Sequence, residues 1–219
     1  ANPCKSGKKK GTGIELGIGG GQKYSYEVQK RLAYPVVQRV LEKAGLARAD
    51  VDQCVEAYKS QFPEWRLDSF PGLLGNVDAG RCANVFDLDG MNCVVDAACA
   101  SSMNALRVAM DEILHGDCET MIAGSTCTDN SVGMYMSFSK TPVFSTKDSL
   151  TAYDENTSGM LIGEGSVMFV LKDMDAAKRD GDTIYAVVKA CAASSDGHSS
   201  GIYTPTIEGQ MLAYERAYA

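Results

Sequence analysis

The chain has 219 residues, of which 45% are hydrophobic and 22% charged, with a formal net charge of −7. That length supports one substantial core or two small ones, and the acidic balance argues against nucleic acid, whose phosphates need a basic face. No run approaches the roughly 18 apolar residues that a membrane span requires; the one basic run, Lys8-Lys9-Lys10, reads as a solvated tail rather than a binding patch, and with no apolar stretch behind it no secretory signal is read.

Residues 1–23 are rich in Gly and Lys and carry little periodicity, so a flexible N-terminal segment is expected there. A GxGxxG reading from Gly11 fails, because Leu16 stands where the third Gly belongs, and no Walker lysine follows Gly17–Gly21. Tyr24–Ala44 reads as helix, with Leu32, Val36, Val37, Val40 and Leu41 on one side, Pro35 starting a new helix or kinking this one, and Gly45 closing it. A second helix is expected over Ala49–Phe62, opened by Asp50 or Asp52. Pro63, Pro71-Gly72 and Gly75-Asn76 then mark a long loop.

From there the rhythm changes to strand, helix, strand. Asn92–Ala97 reads as a buried strand, and Ser101–His115 as a helix with Met103, Leu106, Met110, Ile113 and Leu114 at core spacing and Gly116 at its end. Strands follow at Glu119–Gly124, Ser166–Leu171 and Thr183–Ala190, with helices at Met174–Arg179 and Glu208–Tyr218. Strands alternating with helices predict an α/β layered fold.

Eight cysteines and two histidines are present, and no two cysteines make a CxxC pair, so zinc-ligand spacing is absent. Reduced cysteines among apolar neighbours fit an intracellular, cytoplasmic setting. One cysteine stands apart. In Val94-Val95-Asp96-Ala97-Ala98-Cys99-Ala100-Ser101-Ser102 a buried strand enters a turn of small residues, and a helix leaves at once. Such an elbow exposes a side chain at a sheet edge. Unpaired amides at a helix start favour the thiolate and can donate to the oxyanion of a thioester under attack. Cys99 therefore suits acyl transfer through a covalent thioester. On the residues alone, one more core cysteine among eight is an equal alternative.

The stretch Asp96–Ser102 resembles the active-site signature of β-ketoacyl synthases, whose cysteine carries the acyl chain. Gly75–Asn84 and Phe86–Gly90 upstream are similar to that family's approach to the strand. Ala152-Tyr153-Asp154, Gly163-Glu164-Gly165-Ser166, Arg179–Val187 and Ser194-Ser195-Asp196-Gly197 match downstream segments. A narrower resemblance, to polyunsaturated fatty acid synthases of marine microbial eukaryotes and the first ketosynthase of their multidomain subunit, is carried by Phe62–Gly72, Asp89–Val95, Cys127–Asn130, Met134–Met136 and Ser139–Thr146.

The resemblance implies a thiolase-like layered fold: one βαβαβ half of an αβαβα sandwich, with residues 24–219 as the N-terminal part of the domain. It implies Cys99 as nucleophile, Met134, Met136 and Phe138 near the acyl channel, and Thr204 and Thr206 near a pantetheine arm. It implies acyl and malonyl thioesters on the phosphopantetheine of an acyl carrier protein, a homodimer in the complete enzyme, and no bound metal or nucleotide. Condensation in that family uses two histidines, in EAHGTGT-like and KSNIGH-like stretches, and a phenylalanine-glycine loop. Neither stretch nor loop is in this sequence, so the chain alone is expected not to condense. His115 and His198 match neither position and read as surface or capping residues, and Glu164 reads as a structural loop residue. Two other readings stay in view: a non-catalytic partner of the chain-length-factor type, which keeps the fold but replaces the nucleophile, and a thiolase-like acyltransferase, whose surroundings of the cysteine differ.

Overall fold

A computed structural model of the chain describes residues 11–19, 23–141, 143–198, 201 and 204–219. They divide into two compact units. One comprises the chain up to Gly19 with Ala79–Thr126 and Val167–Ala219, and the other Gly20–Asp78 with Cys127–Ser166.

The first unit is built on four strands, β1 (Thr12–Gly17), β2 (Asn92–Val95), β3 (Thr120–Cys127) and β4 (Gly165–Lys172), in the order β2-β1-β3-β4. β1 runs parallel to both neighbours, with Ile14 opposite Asn92 on one side and Ile122 on the other. Alternation along β1 assigns its faces. Ile14 and Leu16 pack on Ala79 and Ala83 of α4 (Asn76–Phe86). Gly17, on the opposite face, lies against the start of α5 (Ser101–His115): a Cβ there would stand 2.5 Å from the Ser101 carbonyl carbon. The central strand is thus closed by a helix on each face, the arrangement that parallel sheets require.

Two sequence expectations give way here. Residues 12–17, inside the segment expected to be flexible, are fully buried strand. Gly13 and Gly17 weaken β propensity, but they admit neighbouring backbone that a side chain would exclude. The core face of α5 is only in part the one expected, since Leu106 and Ile113 pack against the core and two other residues do not. Met103 (57% exposed) and Leu114 (78%) face outward, while Ser101, Ala105 and Ala109 are buried, with Leu106 and Ile113 beside them. A helix this close to the sheet takes small residues on its contact stripe, whatever the apolar spacing suggests. Gly116 caps α5 in the left-handed region, as expected.

After β4, Asp173 caps α7 (Met174–Asp180), accepting from the amides of Asp175 and Ala176. Lys172 Nζ donates to Asp180 at 2.5 Å and Asp182 at 2.8 Å, on either side of Gly181. Residues 183–190, expected as a strand, have no ladder partner among the described residues and belong to no strand. The chain then reaches α8 (Ile207–Tyr218).

The second unit is helical: α1 (Lys23–Leu32), α2 (Tyr34–Lys43), α3 (Arg48–Lys59) and α6 (Val132–Lys140). Pro35 sits in the first turn of α2, where its missing N–H costs nothing. Neither Asp50 nor Asp52 opens α3. Its N-cap is Ala47, and Arg48 pairs with Asp52 along the helix. The expected apolar side of 24–44 is largely open, with Leu32, Val36 and Val40 exposed and Ser25 and Val28 buried instead. Tyr58 donates to the Lys30 carbonyl at 2.8 Å, and Arg31 to the carbonyls of Lys59 and Phe62. The loop after Pro63 carries two short 3-10 turns, Leu67–Ser69 and Pro71–Leu73, the first held to α1 by Tyr24 and Ser69 at 3.1 Å.

Candidate active site

β2 ends at Val95, two residues short of the expected strand, and the chain turns before α5 begins. Cys99 occupies the middle of that turn, in a single 3-10 turn over Ala98–Ala100, with its side chain exposed. Ala98 takes φ of +48°, a left-handed conformation rarely adopted by a residue with a Cβ. The Asp96 carboxylate accepts from the Ala98 amide at 3.0 Å. The Ser101 hydroxyl accepts from the Ala97 amide at 2.9 Å and donates to the Ala98 carbonyl at 2.6 Å. Gly19 makes room for the turn: a Cβ there would lie 3.1–3.3 Å from Ala98 and the Ser101 hydroxyl.

This is a strained strand–turn–helix elbow with a thiol at its tip, at the start of a fifteen-residue helix. The amides of Ala100 and Ser101 bond back to the Ala97 and Ala98 carbonyls, and the positive end of the α5 dipole lies beside the sulfur, suited to an anion that develops when the sulfur attacks a carbonyl. Exposure alone does not single out Cys99, since Cys54 and Cys127 are also exposed. The elbow does.

Two other cysteines of this unit differ in kind. Cys118 is buried, and burial raises its pKa. Cys93 donates to Glu15 Oε2 at 2.8 Å, and burial, then that carboxyl, push its thiol up to about 12. Glu15 itself is fully buried on the α5 side of β1, and its Oε1 has no hydrogen-bond partner among the described residues. Burial raises its pKa above the usual carboxylate range, with Glu112 adding to the rise and the Cys93 bond opposing it. No signal in the sequence distinguishes this glutamate from a surface one.

The remaining expected residues fall in separate places. Cys99, Thr204 and Thr206 belong to the sheet-bearing unit, and Met134, Met136 and Phe138 to the helical one. Met134 is half-buried and lines a cleft of about 380 Å³ with Tyr26, Lys30, Ser131 and Ser137. Met136, on the same helix α6, is 65% exposed and is not among the residues lining that cleft. Phe138 packs on Phe144 at 6.2 Å. Thr206 is the N-cap of α8, accepting from the Gly209 amide at 3.0 Å and donating to Asp196 at 2.8 Å, while Thr204 is exposed. His115 is exposed at the far end of α5, its Nδ1 2.7 Å from the Asp111 carbonyl, and His198 is exposed. Among the described residues no cluster suits a metal ion, and no helix is long and apolar enough to cross a membrane.

The family model described as "Beta-ketoacyl synthase, N-terminal domain" matches residues 16–177. The chain is 66% identical over 213 residues to a polyunsaturated fatty acid synthase polypeptide of Thraustochytrium sp., covering 97% of this chain and 8% of that protein. It is 31% identical over 204 residues to 6-methylsalicylic acid synthase of Aspergillus niger, covering 87% of this chain and 12% of the relative. Among solved structures it is similar to one titled "PfaC Keto synthase-Chain length factor", with a TM-score of 0.81 and 30% identity, over 100% of this chain and 23% of that one. Such neighbours carry the thiolase-like layered fold, of which the four-stranded sheet is a part.

Proposed function

Since the chain belongs to the β-ketoacyl synthase family, as its N-terminal domain, we propose that it loads an acyl group on Cys99 for chain extension in polyunsaturated fatty acid synthesis. The single observation that carries this reading is the exposed Cys99 thiol on a strained elbow at the start of α5. An acyl thioester on the phosphopantetheine arm of a carrier protein is the donor. The Cys99 sulfur attacks its carbonyl, a new C–S bond forms, and the carrier sulfur leaves with the proton that Cys99 gives up. Amides at the start of α5 stabilise the oxyanion. In the condensation that follows, malonyl thioester loses CO₂ and its enolate carbon bonds to the acyl carbonyl. Cys99 is released as thiolate, so atoms and charge balance.

The condensing step needs donors for the enolate that neither histidine here supplies. His115 is a helix length, about 20 Å, from the elbow. The 219 residues by themselves therefore load without condensing, and the complete enzyme works as a homodimer. On the family pattern Met134, Met136 and Phe138 contact the acyl chain, and Thr204 and Thr206 the pantetheine arm. Support for Met134 alone comes from the cleft it lines. The seven described cysteines are free, which suits a reducing, cytoplasmic setting. The chain-length-factor alternative is disfavoured by Cys99 itself.

The test is incubation with a hexanoyl N-acetylcysteamine thioester, followed by peptide mapping, and separately with labelled malonyl-carrier protein. One hexanoyl group on Cys99, absent from Cys99→Ala, with no labelled CO₂ released, is expected. Acylation centred on Cys54 or Cys127 overturns the nucleophile, and robust CO₂ release overturns the division of labour.

A further inference from the structure

Ser101 is 3% exposed, yet its hydroxyl reaches back across the turn that carries Cys99. It bonds the donor of Ala97 and the acceptor of Ala98, the two residues immediately before the nucleophile. Ala97 and Ala98 are themselves exposed, so no packed side chains hold them in shape. What the turn demands is also unfavourable: Ala98 must keep φ at +48°, where its Cβ crowds its own backbone. A strained residue persists only where its surroundings over-determine it. Here those surroundings include the backbone bonds of Ala100 to the Ala97 carbonyl and of Ser101 to the Ala98 carbonyl, the Asp96 bond to the Ala98 amide, and the two bonds of the Ser101 hydroxyl. Ser101 is the buried one of the pair, fixed by the close passage of Gly17 against its backbone.

We propose that Ser101 is a positioning residue for the reaction at Cys99, its hydroxyl holding Ala98 in the left-handed conformation that presents the sulfur to a thioester. This rests on Cys99 being the nucleophile. Without the hydroxyl, water satisfies the exposed amide and carbonyl, Ala98 relaxes to an ordinary negative φ, and Cys99 swings out of line. The residue acts through the backbone of 97 and 98 and touches no substrate.

The experiment follows acylation of the full chain by hexanoyl N-acetylcysteamine thioester, site by site. Exposed Cys54 and Cys127 serve as internal references, and iodoacetamide labelling of buried Cys118 reports unfolding. Ser101→Ala is expected to slow loading of Cys99 about tenfold relative to the references, since small misplacements of a reacting atom cost that much or more, while Cys118 stays protected. In the double variant Ala98→Gly should restore most of the rate, because glycine enters the left-handed region without the Cβ penalty. A purely structural role for Ser101 does not predict that rescue. If Ser101→Ala exposes Cys118, the equal-volume pair Ser101→Thr and Ser101→Val isolates the hydroxyl, and Thr should load about tenfold faster. Wild-type rates in Ser101→Ala, equal rates in Thr and Val, or no rescue by glycine overturn the positioning role alone. A wild-type Cys99 that loads no faster than Cys54 overturns the nucleophile and this inference with it.

Discussion

Strands β1 and β4 invert what their compositions suggest. β1 reads Thr-Gly-Ile-Glu-Leu-Gly, with two glycines and a carboxylate, and all six of its residues are buried. β4 reads Gly-Ser-Val-Met-Phe-Val-Leu-Lys, and its first six residues are exposed, Val167 at 58% and Phe169 at 50%. Apolarity does not decide burial here. β1 sits between two hydrogen-bonded neighbours with α4 and α5 on its faces, whereas β4 ends the sheet and keeps large side chains against water. A strand apolar on both faces is built to be covered on both, and a contiguous exposed patch of this kind marks an interaction surface.

Equal truncations on the two sides test that contrast most severely. Met121, opposite Gly13 and wholly buried under α5, should lose about 3 kcal/mol of stability as Met121→Ala. Met168→Ala on half-exposed β4 should lose less than about 1 kcal/mol. Urea unfolding of both measures the gap, and equal losses break the comparison. Next comes Gly17→Ala. Its Cβ meets the Ser101 and Ser102 backbone at 2.5–2.7 Å, which cannot move without moving the Cys99 turn. A loss of about 2 kcal/mol is expected by the same unfolding measurement, together with slower acylation of Cys99.

A smaller effect, with a definite pH dependence, belongs to Glu15. Its pKa is raised in the folded state, so the native protein holds that proton more tightly than the unfolded chain. Stability from this group is present below the ordinary carboxylate pKa and is lost as pH rises through the raised one. Glu15→Gln should therefore gain melting temperature over wild type at pH 8 and little or none at pH 4. A gap that shrinks with rising pH refutes the assignment. Smallest in stability is Phe169→Ser, within about 0.5 kcal/mol because the ring is already half in water. Its signature is lower binding of a hydrophobic dye. Unchanged dye binding removes β4 from the exposed patch.

Much of the site was legible and much of its support was not. An apolar run, small residues and an immediate helix mark the elbow at Cys99 because each has a backbone consequence, although β2, expected to be buried, is exposed at Asn92 and only half-buried over residues 93–95. Ala98 gives no warning of its left-handed φ, since alanine ordinarily signals helix. The core stripe of α5 was misread in part because periodicity counts apolar residues, while close approach selects small ones: Ser101 against Gly17, and Ala109 against Met121 and Ala123. β1 was missed for the matching reason: its glycines make it a poor strand in isolation and a good one in its place. Residues 183–190 read as strand on side chains alone, but a strand also needs a partner for its amides.

The place of β1 in the sheet also bears on how the chain acquires its structure. The strand made first ends up in the middle, with partners about 78 residues onward at Cys93 and 108 onward at Ser125. No hairpin joins β1 to either partner, so loop closure must come before any of its ladder contacts rewards it. Until α5 and β3 emerge from the ribosome, β1 has an open edge and Glu15 stays in water as an ordinary carboxylate. Folding of this unit is therefore a long-range event, and the elbow bearing Cys99, packed against Gly17 and Gly19, takes shape only when β1 and β2 meet.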